Sequence, residues 1–385
     1  MTSDPESIVT RYVVRRVLLF SLILLALLFV ITAALSRTYH AREEGLVTEW
    51  SQRGNADLAA GKPALAFVDF RNSLSYGPDN PGVQLHLAEA LLADGRFTEA
   101  RSYLVNLWDR TPGSGEVNLD LAHVAMQTGD MEEAIRYFRG AIFGSWEKDP
   151  GLQRRNVRLE LCEFLLSHRR TSDAQTEIAG LAADTPSDDG ILREQNGRLF
   201  LRVGEPAKAL AEFEAALKTN PRQSQWLASA GHVAFEDGDF LKAEAYFSKA
   251  DRENPSDEIH ASLMLVRDVL GNDPYLAGLS DEERSRRTRG DFDQGIRRLH
   301  ECTGIGRSDS APGQASPDVQ LLNKEAQDLE KRVNLFSLDK NPELRNEAMQ
   351  IVSRIEDATA QACGLGTGLD QALTLIVKRG GGSNP

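Results

Sequence analysis

The sequence predicts an all-α chain, on three observations. Small, aromatic and proline residues recur with a period of about 34 residues along its first two thirds. A nineteen-residue stretch near the start, Val17–Leu35, carries no charge. The last third places apolar residues at helical spacing and gathers glycine, serine and proline in one short run.

The totals narrow the function classes. A chain of 385 residues has room for two or three domains. Its net charge of −13 argues against nucleic acid, which needs a basic face. Three cysteines, Cys162, Cys302 and Cys363, are too few for a disulfide scaffold, and none form a CxxC pair.

Residues 1–16 are expected as a cytoplasmic tail and 17–35 as a transmembrane anchor. At about 1.5 Å per residue the apolar stretch covers roughly the hydrocarbon thickness of a bilayer. Only Ser21 and Thr32 interrupt it with polar side chains. A cleaved signal peptide is the competing reading, with processing near Ala34 to Ser36, but signal cores are usually shorter. Arg11, Arg15 and Arg16 precede the span, whereas Arg37, Arg42 and Arg53 follow it. The pair directly against its first edge favours a cytoplasmic N-terminus, with the bulk of the chain in the periplasm of a bacterium.

The unit of the array is clearest at Ser224–Asp257. Leu227, Ala230, Gly231 and Ala234 mark one helix, Ala243, Phe247 and Ala250 a second, Gly238 the turn and Pro255 the stop. Gly190–Gln223 repeats the marks with Gly197, Phe200, Gly204, Ala209, Phe213, Ala216 and Pro221. This pattern resembles the tetratricopeptide repeat, a helix–turn–helix of this length. Four earlier copies keep the register: Val47–Asn80, Pro81–Ser114, Gly115–Lys148 and, after a short insertion at 149–154, Arg155–Asp188. Trp146 replaces a proline in the third copy, and Arg169 stands at a glycine position in the fourth. Residues 47–271 are thus expected as a solenoid of six repeats with Glu258–Gly271 as its capping helix.

The resemblance implies that the first helix of each repeat lines a concave groove, which binds a protein partner or an extended peptide segment. Its ninth position gives Asn55, Glu89, His123, Glu163, Arg198 and His232, with Met126, Glu194, Arg202, Gln225 and Phe235 as neighbours. One subtype clamps a peptide's terminal carboxylate with Lys, Asn and Arg. The corresponding positions here are Ser51, Asn55, His86, Glu116 and Asp120. Only Asn55 agrees, and two acids would repel a carboxylate.

Beyond the array, 272–303 is expected as a helical extension opened by a capping box at Ser280 to Glu283, with Arg284, Arg286, Arg287 and Arg289 on a solvated face. Residues 304–317 read as a linker, 318–378 as a C-terminal helical region and 379–385 as a disordered tail. Within that region one helix is expected over Asp318–Leu338, another from Asn341 to Cys363 and a last one over Gly368–Val377. Cys302 and Cys363 fall at two helix ends and are expected to form a disulfide, a bond that persists outside the cytoplasm.

No catalytic set is evident: HExxH, GxSxG and a phosphate-loop lysine are all missing. The expectation is a non-enzymatic scaffold without cofactor, metal or small-molecule substrate, held in a bacterial inner membrane as an assembly or chaperone-like accessory factor. The alternatives are a dedicated subunit of a membrane complex and a cytoplasm-facing regulator of an envelope enzyme.

Overall fold

The computed structural model describes residues 5–304, 317–364 and 366–381. Every regular element among them is a helix. They form two compact units, Met1–Arg170 and Thr171–Pro385. The expected linker falls almost wholly on residues 305–316, outside the described residues, as does 382–385 of the expected tail.

The first unit holds α1 (Pro5–Ala59), α2 (Pro63–Tyr76), α3 (Pro81–Ala93), α4 (Phe97–Arg110), α5 (Gly115–Thr128), α6 (Met131–Phe143) and α7 (Pro150–Ser167). α1 differs from the sequence expectation. The apolar stretch and the first repeat helix are one continuous helix of 55 residues, roughly 80 Å long. No proline or glycine falls between Val17 and Gly45, so nothing in that run breaks it. Consecutive helices then pack in antiparallel order, α1 on α2, α2 on α3, and so on to α7.

The packing inside each repeat is a small residue against a large one sixteen positions later. A Cβ on Gly54 would stand 2.7 Å from the Phe70 ring, so only the missing side chain admits that ring. Ala88 with Leu104 and Ala122 with Phe138 hold the same positions, all fully buried. Burying each large side chain contributes about 1.5–3 kcal/mol. The turns close on Gly61, Gly95 and Gly129, each at φ of 70–80°, where a Cβ is unfavourable.

Two local departures follow from composition. Trp146 lies over Gly115, which has no side chain to obstruct it. The loop carrying it is pinned by Gly115 N donating to Ser145 O and Ser145 N donating to Gly113 O, both 2.8 Å. The expected insertion is no separate connection. Pro150 starts α7, Asp149 caps it by accepting from Leu152 N at 3.1 Å, and the extra residues lengthen the helix. α7 ends on Arg169 at φ 58°, a left-handed conformation that costs a non-glycine residue about 1 kcal/mol.

The second unit begins with α8 (Thr171–Asp184), α9 (Gly190–Arg202), α10 (Pro206–Thr219), α11 (Ser224–Glu236), α12 (Phe240–Glu253) and the capping helix α13 (Asp257–Asn272). Gly197 meets Phe213, and Gly231 meets Phe247, in the same small-on-large contact. α14 (Asp281–Thr303), α15 (Pro317–Glu330), α16 (Leu335–Lys340), α17 (Pro342–Cys363) and α18 (Leu369–Gly381) complete it. Phe247 of the last repeat, Val266 of α13, Phe292 of α14, Val352 of α17 and Ile376 of α18 share one continuous buried core. The C-terminal third therefore extends the array's end, with α18 lying against α13.

The expected helix over 318–338 is two. Lys331–Asn334 breaks it, because Asn334 accepts from Ser337 N at 3.0 Å and caps α16, while Val333 turns inward to 1% exposure. α18 also runs past Val377 to Gly381. Of the arginine cluster only Arg286 is on a solvated face, paired with Glu283; the other three are not. Arg284 donates to Pro274 O (2.9 Å), Arg287 to Leu270 O (2.8 Å), and Arg289 to Val333 O. These side chains tie α14 to the loops beside it by satisfying backbone carbonyls.

At the far end of α14, Arg298 pairs with Glu356 of α17 in the interior, and Thr374 of α18 donates to the same carboxylate at 2.7 Å. Burial holds the Glu356 carboxyl above its ordinary range, with Thr374 and Arg298 opposing the rise. One turn on, Cys302 and Cys363 are joined as a disulfide with their Cα atoms 5.9 Å apart. Cys162 is in no disulfide and is fully buried at the small-residue position of its repeat.

Replacing Gly231 with valine forces a side chain into the Phe247 ring. Gly231→Val should lower unfolding stability by about 1–3 kcal/mol, read by thermal or urea unfolding. An unchanged midpoint would show that the glycine is not what seats the ring.

Candidate functional site

The first helix of each repeat buries its small residue and turns the ninth position, the next residue and about 100° further round the helix, toward the open side.

In the first unit Asn55 and Glu163 are exposed, and Glu89, His123 and Met126 are half-buried. The structure gathers more around them than those five. On α3, His86 Nδ1 lies 3.0 Å from Glu89 Oε2, and its ring stacks on Phe70 at 5.8 Å. On α5, His123 Nε2 lies 2.7 Å from Glu160 Oε1 of α7, with its ring edge-on to Phe138. Asp120 sits one turn before His123 and one turn after Glu116. Its Oδ2 is enclosed and finds no hydrogen-bond partner.

The electrostatics follow from this arrangement. Burial pushes the Asp120 carboxyl up to about 7; Glu89 and Glu116 push the same way, while His123 and His86 pull it down. Hydrogen bonding to Glu89 raises His86, and hydrogen bonding to Glu160 raises His123. Each imidazolium is held by a glutamate, and Asp120 is left with the surplus negative field. Among the described residues no His, Cys, Asp and Glu side chains are gathered in the way a metal ion requires. Beside Glu116 lies an apolar cavity of about 450 Å³, lined by Pro81, Leu85, Leu107, Val117 and Trp146.

In the second unit Arg198 is exposed and paired with Glu194 on its own helix. Arg202, Gln225 and His232 are exposed, and the His232 ring stands edge-on to Phe247 at 4.9 Å. Phe235 is a correction. It packs on Phe240 with ring centroids 5.4 Å apart and against the C-terminal core, so it is a packing residue and not a groove contact. The reason is local: Phe235 stands at the end of α11, where the chain turns and Phe240 at the start of α12 packs against it.

Sequence reasoning found Glu89 and His123, and met His86, Glu116 and Asp120 only as failed clamp positions. It missed Glu160. The signal was present, since Glu160 precedes Glu163 by three residues and shares its helical face.

Comparison with known proteins agrees with the repeat reading. Family models described as the tetratricopeptide repeat match residues 57–112, 91–143 and 195–258. The chain carries tetratricopeptide repeats. It is 23% identical to "DnaJ homolog subfamily C member 3" of Bos taurus, over 48% of this chain and 38% of that one. It is 24% identical to "Cellulose synthase operon protein C" of Pseudomonas fluorescens, over 48% of this chain and 15% of that one. This chain thus spans well under half the length of those relatives. Among solved structures, the C-terminal part of a TPR repeat-containing protein from Cytophaga hutchinsonii is 12% identical. That likeness covers 82% of this chain and all of that one, with a TM-score of 0.42.

The Asp120 carboxyl lowers stability where it stands. Unfolded, it titrates near its ordinary 3.8; folded, at about 7. Between those values the unfolded chain releases a proton that the folded chain keeps, so stability falls as pH rises through the window. Asp120→Asn should therefore melt like the wild type below pH of about 4. It should melt progressively higher up to about pH 7 and keep a constant advantage above it. A lower melting temperature for the variant at pH 8 would contradict this placement of the carboxyl.

Proposed function

We propose that this chain is a membrane-anchored, non-enzymatic scaffold of the bacterial cell envelope that binds segments of other proteins on its first-helix faces, as an assembly or chaperone-like accessory factor. Tetratricopeptide repeats generally serve protein–protein interaction. The observation that carries the membrane part of the reading is the run of α1 from an exposed apolar stretch into the first repeat. Leu25 is 64% and Phe29 74% exposed there, and a lipid interior is the environment that suits them. The helix is long and apolar enough to cross a bilayer, with none of that apolar window buried against the rest of the chain.

The Cys302–Cys363 bond supports a periplasmic bulk, since such bonds persist in oxidising compartments. The similarity to a Pseudomonas protein named for a cellulose synthase operon fits a bacterial envelope setting. Arg37 and Arg42, directly after the span, favour the opposite orientation and with it the reading as a cytoplasm-facing regulator.

A photo-cross-linking residue placed singly at Asn55, Glu163, Gln225 and His232 in living cells tests the groove. These positions should give discrete protein adducts, while Ser102 and Lys208, exposed on second helices, should not. Adducts of several sizes fit an accessory factor, and one adduct at fixed ratio fits a dedicated subunit. Adducts confined to the second-helix positions, or none anywhere, would remove the groove as the binding surface.

A further inference from the structure

The first unit's open face has a charge pattern that selects among partner segments. The following deepens the binding proposed above and rests on it. We infer that the face formed by α3, α5 and α7 takes a basic segment of a partner protein. One cationic side chain docks at Asp120 between Glu89 and Glu116, and a neighbouring apolar residue enters the cavity bordered by Leu85 and Trp146.

Charge complementarity argues for a cation. Four carboxylates, Glu89, Glu116, Asp120 and Glu160, share this face with two imidazoles, and each imidazole is already held by its own glutamate. Asp120 has no such partner, and its enclosed Oδ2 accepts no hydrogen bond. A buried acceptor left unpaired costs about 1–3 kcal/mol. A guanidinium or ammonium brought to Asp120 would supply both the donor and the missing positive charge.

Geometry argues for the apolar neighbour. Glu116 lies in the field of Asp120 and also borders the cavity of about 450 Å³ lined by Leu85, Leu107 and Trp146. An extended peptide puts side chains two residues apart on one face, about 7 Å from each other, so one short segment presents a cation and an apolar group to the same surface. An acidic or carboxylate-terminated segment would instead meet four like charges.

Binding is coupled to protons. Near neutrality the free protein holds a proton on part of its Asp120 population, and a docked cation expels that proton to solvent. His86 and His123 also lose positive charge as pH rises. Asp120, His86 and His123 therefore all make the site more negative as pH rises from 6 to 8, beside the carboxylates Glu89, Glu116 and Glu160 and, at the cavity, Glu147. Affinity for a basic segment should rise over the same interval.

The test uses the full chain in nonionic detergent and short labelled peptides, spaced with serine, that carry arginine and leucine two residues apart, arginine alone, or glutamate and leucine two residues apart. Fluorescence anisotropy should rank the arginine–leucine peptide first, at least about tenfold above each of the others, with affinity rising from pH 6 to 8. Asp120→Asn should weaken it about tenfold and flatten the pH dependence. Glu132→Gln, on the exposed side of α6, should change nothing. The thermal unfolding of each variant, at or above that of the wild type, shows that the fold survives. Equal losses from Asp120→Asn and Glu132→Gln would reduce the effect to general attraction by an acidic protein and overturn the assignment. So would affinity that is flat or falling with pH. Cross-linking at Asn55 and Glu163 separates the two claims: adducts there without a basic preference sink only the selectivity, and no adducts sink the groove itself.

Discussion

The fold depends on one contact repeated along the chain: a small residue on a first helix against a large apolar residue sixteen positions later on the second. Gly54 with Phe70, Gly197 with Phe213 and Gly231 with Phe247 are its tightest forms, where a single methyl group would strike the ring. It fixes how closely two helices approach, and that spacing keeps the next pair in register. Because each repeat buries its apolar side only on its neighbours, an array needs an end that does not expose the next interface. The second unit supplies one by continuing its core from Phe247 through α13 into α14, α17 and α18.

That same contact decides which side chains are free to act. With one side of each first helix committed to the interior, the positions opposite it face outward on a rigid backbone. In the first unit those positions hold Asp120, kept ionisable at about 7 at a cost to stability. Asp291 of α14 is pushed still higher, to about 8, but it lies in the interior. What sets Asp120 apart is its place on the open helix side among other charged groups, which fits the cation-binding role proposed for it.

Much of this was legible in the sequence, for identifiable reasons. The repeat register could be read because close packing demands a small residue at one fixed position and a large apolar one at another. Helix starts at Ser280 and Asn341 could be read because capping chemistry is local. What could not be read depended on contacts between distant segments. Arg284, Arg287 and Arg289 resemble a solvated face until the carbonyls of Pro274, Leu270 and Val333 are brought beside them. The break at Lys331–Asn334 hides inside an apolar period that a longer helix would satisfy equally well. Phe235 is at a groove position by spacing and in the core by context. Glu160 was visible by period, but its role needed His123 from the preceding repeat.

The proposed membrane-anchored scaffold depends on which side of the membrane its repeats occupy. Cys302 and Cys363 report it directly, because their bond ties the ends of α14 and α17 together only where thiols are oxidised. The deciding measurement blocks free thiols in intact cells, isolates the full chain without reductant and maps its cysteine peptides. A periplasmic scaffold predicts Cys302 and Cys363 recovered as one linked peptide pair, with Cys162 free. Recovery of both as separately alkylated residues would contradict it and place the array in the cytoplasm, on the side favoured by Arg37 and Arg42.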